Sequence, residues 1–224
     1  MGQKVNPNVF RLPVTADRAS IWYTNNTRYA DLIEGDFLIR SIINSHYKNP
    51  VISRVLIDRS GCIELKQSDN QTLSHEIVIS IYSSNPGHIV GRNGKELDAL
   101  RMKLRKVFGH AKFKIDVVEC KRGDSDASLI AQNIAAQIKK RGNYKRIAKK
   151  AIESAMRFDD CLGVKITCSG RLGGAEIAKS EIFKMGSIPL HTISANVNYA
   201  LATSETIYGV IGIKVWVYLD SFNR

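Results

Sequence analysis

Two stretches of this chain concentrate cations at spacings suited to holding phosphates. From Arg92 to Lys114, eight Lys/Arg stand against two acids, Glu96 and Asp98. From Lys139 to Lys150, seven Lys/Arg stand against none. The stretches carry +6 and +7 of a whole-chain charge of +12, so the remaining residues sum to about −1. A uniformly basic surface only keeps a protein in solution. Two concentrated patches mark two places where a polyanion is neutralised, or else two solvated helix faces. Solvated faces normally mix signs, and here acids are nearly absent.

The first patch opens on Gly91-Arg92-Asn93-Gly94-Lys95. Glycines without Cβ atoms let backbone approach a phosphate, the N–H groups at the start of the following helix then bind it, and Arg92 and Lys95 add charge. The spacing alone decides nothing. With 16 glycines in 224 residues, average usage gives about one Gly-x-x-Gly by chance, and Gly170/Gly173 and Gly209/Gly212 also match. A tight turn between two helices is the other reading of Gly91–Gly94. In the second patch, Lys145, Arg146, Lys149 and Lys150 fall within an arc of about 140° on a helix. Ile147, Ala148, Ala151, Ile152 and Ala155 take the other side. One face packs and the other is cationic. Lys139, Lys140 and Arg141 lie just before it, and Arg171 lies in a glycine-rich run; all four are further candidates for contact with the polyanion. Tyr144 is placed either to stack on a base or to be partly buried.

The elements that must position these groups follow from periodicity. Residues 1–28 read as an arm with one short turn. Tyr29 to Tyr47 reads as helix, with Leu32, Ile33, Phe37, Ile39, Ile42 and Ile43 at helical spacing, stopped by Asn49-Pro50. Strands are predicted at Val51–Ile57, Ile77–Tyr82 and Phe113–Val118, with a turn at Ser60-Gly61. Pro86 to Val90 is a short helical turn. Lys95 to Phe108 is a helix with a core stripe of Leu97, Leu100, Leu104, Val107 and Phe108, ended by Gly109. Composition shifts at 121–124. Helices follow at Ser125–Lys140, capped by Ser125, and at Tyr144–Phe158. A strand is predicted at Val164–Cys168, a turn at Ser169–Gly174, and strands through Leu219. The segments expected are an arm with the start of the first helix at 1–38, a first domain that carries the Gly91–Gly94 loop at 39–109, its last strand and linker at 110–120, and a second domain at 121–224.

Several classes are excluded. No uncharged apolar run spans a membrane; the one beginning at Val210 is broken by Lys214. Residues 1–6 are too polar for a signal or transit peptide, and Asn6 breaks the myristoylation pattern. Cys62, Cys120, Cys161 and Cys168 contain no C-x-x-C, so free thiols in a reducing compartment are expected. His46, His75, His88, His110 and His191 form no ligand spacing, and neither metal nor cofactor is expected. His191 reads as a hydrogen-bonded structural residue, and Trp22 and Trp216 as packing or interface residues. There is no G-x-x-x-x-G-K-[ST], H-E-x-x-H or G-x-S-x-G, and Glu176 and Glu181 make no acid–base pair, so no enzyme is expected.

Strand, short helix, Gly-Arg-Asn-Gly, helix, strand resembles the KH RNA-binding module, whose glycine loop clamps about four nucleotides. The helix and strand before it match the type II order. The opening Met1-Gly2-Gln3-Lys4-Val5-Asn6-Pro7, the run Ser169 to Ile177 (SGRLGGAEI), Pro189-Leu190-His191-Thr192 and Tyr208 to Trp216 (YGVIGIKVW) together resemble the bacterial-type family of small ribosomal subunit protein three. That resemblance covers the chain to about Leu219. It implies an α+β fold: a type II KH domain, a three-stranded sheet packed on helices, followed by two helices on a mainly antiparallel sheet. It implies a place in the head of the small subunit of a cytoplasmic ribosome, in single copy. The implied contacts are small-subunit rRNA, mRNA and small-subunit proteins ten and fourteen. Lys145, Arg146 and Lys149 match the family's basic element at the channel through which mRNA enters, where it helps open mRNA structure. The chain departs from the family at Lys145, usually arginine; at Asn85, usually arginine; at His88, usually apolar; and at Ser60–His75, which is longer and expected as an extended hairpin. A free-standing KH regulator, found outside ribosomes, is the alternative.

Overall fold

The computed structural model describes residues 5–12, 14–16, 18–24, 29–47, 52–59, 76–109, 112–120 and 123–220. The expected hairpin at 60–75, the turn at Ser60-Gly61, the stop at Asn49-Pro50, and Cys62, His75 and His110 lie outside them. Two compact units emerge: residues 18–121, and residues 1–17 together with 122–224. The opening segment 1–38, expected as an arm with the start of the first helix, divides between them after residue 17.

In the unit of residues 18–121, strands β1 (Ser20–Ile21), β2 (Ile52–Asp58), β3 (Glu76–Ser83) and β4 (Lys112–Glu119) form a sheet in that order. β2 and β3 are antiparallel, whereas β1/β2 and β3/β4 are parallel. Helices α2 (Tyr29–His46), α3 (Pro86–Val90) and α4 (Lys95–Phe108) accompany it. The period of two in β3 buries Ile77, Ile79 and Ile81, which meet Ile39, Ile43, Ile89, Leu100 and Leu104. This is the KH arrangement with a fourth, two-residue strand added at the edge of β2. That strand falls in the segment read as arm, because two residues carry no periodicity.

Two helical stripes are narrower than the sequence suggests. On α2, Ile33 and Phe37 face outward, and Phe37 is 72% exposed. On α4, Val107 is exposed. The side that α2 turns inward carries a polar group instead. Asp36 is buried; its Oδ1 accepts from Arg59 Nη2 at 2.7 Å and Nε at 3.0 Å, and its Oδ2 accepts from Trp22 Nε1 at 2.9 Å. This network ties the chain before α2 to the end of β2.

In the other unit, β5 (Cys161–Gly170), β6 (Lys179–Gly186), β7 (Asn196–Thr206) and β8 (Gly209–Leu219) form an antiparallel sheet in the order β6-β5-β8-β7. Helices α5 (Ala127–Lys139) and α6 (Tyr144–Ala155) pack on it. Ile130, Ile134 and Ile138 of α5 and Ile147, Ala148, Ile152 and Ala155 of α6 share one core with Ile211, Ile213, Val215 and Val217 of β8. Asp126, not Ser125, caps α5, its carboxylate accepting from the Ser128 N–H. β5 extends through Ser169, paired with Gly212 of β8, and Gly170, paired with Lys179 of β6, so the glycine-rich turn begins at Arg171. α6 stops three residues short of the predicted Phe158.

The opposite face of β8 packs Trp216 with Ala195 and Val197. There the short helix α1 (Pro7–Phe10) is followed by Arg11, only 1% exposed. Its guanidinium donates to the carbonyls of Pro7, Pro189, Leu190, Thr192 and Ala195. Five acceptors offset the desolvation of the cation without a carboxylate. His191, within the loop so held, is exposed and its ring makes no hydrogen bond among the described residues, contrary to the structural role expected of it.

Removing one member of the Asp36–Arg59 pair strands the other charge. Asp36→Ala should lower unfolding stability by about 3–5 kcal/mol in urea titrations, while Asp36→Leu combined with Arg59→Met should cost clearly less.

Candidate nucleic-acid interface

The glycine loop links α3 to α4. Gly91 (φ 70°), Asn93 (φ 55°) and Gly94 (φ 77°) all lie at positive φ, with Arg92 between them. A Cβ on Gly91 would come within 2.6 Å of Glu96 Cγ, so backbone and helix approach as only glycine allows. No side chain caps α4. Arg92, Asn93 and Lys95 are exposed. Arg92 and Lys95, with Gly87, His88, Gly91 and Glu96, border a shallow cavity of about 420 Å³.

The two acids of this patch each have a near neighbour. Glu96 Oε2 faces His46 Nε2 at 3.3 Å, and Lys103 Nζ lies 2.8 Å from His46 Nδ1. Asp98 pairs with Arg101 at 3.2 Å. The Tyr47 hydroxyl donates to the Ile89 carbonyl at 3.0 Å and fixes α3, on which the loop hangs. Burial, aided by the charge of Glu96, pushes the Tyr47 pKa up to about 12.

The second patch is built on α6. Asn143 caps it, accepting from the Lys145 N–H. Ile147, Ala148, Ile152 and Ala155 are buried; Lys145, Arg146, Lys149 and Lys150 are exposed. The predicted two-sided helix is therefore present. Lys145 is partly neutralised, 3.8 Å from Glu181 on β6. Arg146, Lys149 and Lys150 have no ion pair among the described residues. Tyr144 is half-buried and donates to Glu181 at 3.0 Å, which takes the second of the two readings above. Desolvation opposes ionisation of Glu181. The hydrogen bonds from Tyr144 and Lys179, with the charges of Lys145 and Lys179, outweigh it and hold the carboxyl below its usual range. Sequence reasoning missed Glu181 because only the β5/β6 register brings it to α6.

Lys139, Lys140 and Arg141 are exposed at the α5–α6 turn. Arg141 sits at φ 63°. Its N–H bonds to the Ile138 carbonyl at 2.8 Å and the Gly142 N–H to the Gln137 carbonyl at 3.1 Å. This is the Schellman closure, with arginine where glycine is usual. Arg171, the remaining candidate for RNA contact, is half-buried at the glycine-rich turn. Its Nε donates to the Ala175 carbonyl at 2.8 Å and its Nη1 to the Tyr208 carbonyl at 3.3 Å, so it braces two turns.

Among the described residues no group of three His, Cys, Asp or Glu is arranged to hold a metal ion. Among the same residues no helix is long and apolar enough to cross a membrane. Cys161 and Cys168 are buried free thiols. Burial, then the Glu181 charge, pushes the Cys168 pKa up to about 11, away from thiolate chemistry.

Two family descriptions match. "KH domain" covers residues 63–125, and "Ribosomal protein S3, C-terminal domain" covers residues 134–217. Among similar curated proteins, the small ribosomal subunit protein uS3 of Neorickettsia sennetsu is 43% identical over 224 residues, all of both chains. The uS3 of Pelodictyon phaeoclathratiforme is 46% identical over 97% of this chain and 82% of its own. That of Anaplasma marginale is 39% identical over 98% and 96%.

The strained turn makes a thermodynamic prediction. Arg141→Gly should raise unfolding stability by up to about 1 kcal/mol, read by thermal or urea denaturation, because glycine relaxes the left-handed position. Gly91→Ala should lower it by at least about 1 kcal/mol, through the same conformation and the contact with Glu96.

Proposed function

The chain belongs to the small ribosomal subunit protein uS3 family, and from that membership we propose that it is a structural constituent of the small-subunit head that holds rRNA and presents α6 to mRNA. Its role is architectural and RNA-binding, not enzymatic. The observation that carries the reading is the face of α6. Arg146, Lys149 and Lys150 are exposed without an acid partner, on a helix whose other side is locked into the core.

Such a face suits a moving strand. Its contacts are with phosphates, which every sequence presents alike, so RNA can slide without losing register-specific bonds. Holding single-stranded phosphates at the channel lets it favour the unpaired form of mRNA as structure is drawn in. Lysine at 145 keeps charge at that position but lacks the bidentate fork of arginine. In the other unit, Arg92, Asn93 and Lys95 around Gly91 and Gly94 form the second RNA contact, in the manner of a KH loop. Small-subunit proteins ten and fourteen are proposed as neighbours, with the outward Ile33 and Phe37 of α2 offering apolar surface for a protein to cover.

Reversal of Lys145, Arg146 and Lys149 to glutamate should slow translation through structured messages more than it reduces subunit assembly. An equal effect on structured and unstructured messages would contradict the role given to α6. Neutralising the same three to glutamine should flatten the salt dependence of single-stranded RNA binding by about 2 in the log–log slope. Arg92→Asp with Asn93→Asp should lower RNA crosslinking at the glycine loop; unchanged crosslinking would make that loop a structural turn.

A further inference from the structure

Beside the outward row of α6 lies a cleft that shares only Lys145 with that row, and we infer that it is a pocket for one unstacked RNA nucleotide. The inference deepens the reading of α6 as an RNA-facing helix and rests on it. The cleft encloses about 770 Å³ between the α5–α6 turn, the turn at 171–174 and the β7–β8 turn. Ligand pockets typically measure roughly 300–1,000 Å³, so a nucleotide fits.

The lining has two chemistries. Lys139, Arg141, Lys145 and Arg171 converge on it, against a single lining acid, Glu205. Tyr208 and Ile207, the two residues of the β7–β8 turn, supply apolar surface; Tyr208 is 51% exposed and Ile207 73%. A phosphate site needs only the cations, and an acidic peptide would leave the ring unused. A nucleotide uses both, with its phosphate among the cations and its base against the ring.

The ring is held in place rather than loose. The Arg171 guanidinium lies 5.8 Å from its centroid and binds the Tyr208 carbonyl. Gly174, at φ 82°, lets the ring lie on bare backbone, since a Cβ there would sit 3.1 Å from Tyr208 Cε2. Arg171 is thus a positioning residue. Arg141 is kept in a left-handed conformation that glycine would adopt without strain, and its side chain lines this cleft. Strain retained at a pocket wall points to a use for that side chain.

The test measures binding of the full chain to a fluorescent oligouridylate and to an abasic oligomer with the same number of phosphates. Wild type should bind the oligouridylate about 5- to 150-fold more tightly, the range expected of one stacked base. Tyr208→Ala should remove that difference, and Tyr208→Trp should retain it. Arg141→Gly should weaken both oligomers while raising the melting temperature, separating ligand contact from fold. Equal affinity for the two oligomers, equal displacement by poly-glutamate, or a Tyr208→Ala variant of unchanged melting temperature and unchanged affinity would overturn the pocket. Arg146→Glu with Lys149→Glu tests the parent reading in the same assay. If only that variant weakens binding, the pocket falls and the α6 face stands; if neither does, both fall.

Discussion

Everything proposed for this protein depends on one helix being forced to show its charges. An isolated α6 would be marginal. Twelve residues is near the lower limit for a helix in water. Its cations at 145 and 149, and at 146 and 150, repel at i,i+4 by about 0.2–0.5 kcal/mol each. Burial of Ile147 and Ile152 in the core shared with α5 and the sheet contributes about 2–3 kcal/mol apiece, which exceeds the repulsion several-fold. The antiparallel sheet therefore sets the rotation of α6, and the cations have nowhere to point but out.

The glycine loop follows the same logic in the other unit. Buried apolar residues of α3 and α4 fix the two helices, and the loop between them adopts positive φ at Gly91, Asn93 and Gly94. Asp98 is paired with Arg101, while Glu96 shares the cavity bordered by Arg92 and Lys95. The two patches therefore differ in their electrostatics. One has no acids in sequence, and the other keeps an acid among its cations.

The sequence was legible where a pattern is local. Isoleucines at every second residue of β3 and every fourth of α5 are core positions, as their spacing requires. The exposed row of α6 could be drawn on a helical wheel. Illegible features depend on contacts remote in the chain. Arg11 is buried because carbonyls some 180 residues away accept from it, and no local signal marks it. Phe37 and Val107 satisfy a helical period yet face outward, because the sheet covers a narrower stripe than the apolar residues offer. Asp36 occupies the buried side because Arg59 and Trp22 meet it there. Arg141 breaks the glycine rule for a helix end, and the side chains that could make use of it come from turns 30 to 67 residues further on.

The most direct test of the account is ultraviolet crosslinking in cells, followed by gradient sedimentation and sequencing of the RNA attached to this chain. The account predicts small-subunit rRNA and mRNA in small-subunit and ribosome fractions, with crosslinked peptides from α6 and the Gly91–Gly94 loop. Crosslinks chiefly to assorted messages in light fractions would contradict it and describe a free RNA-binding regulator instead.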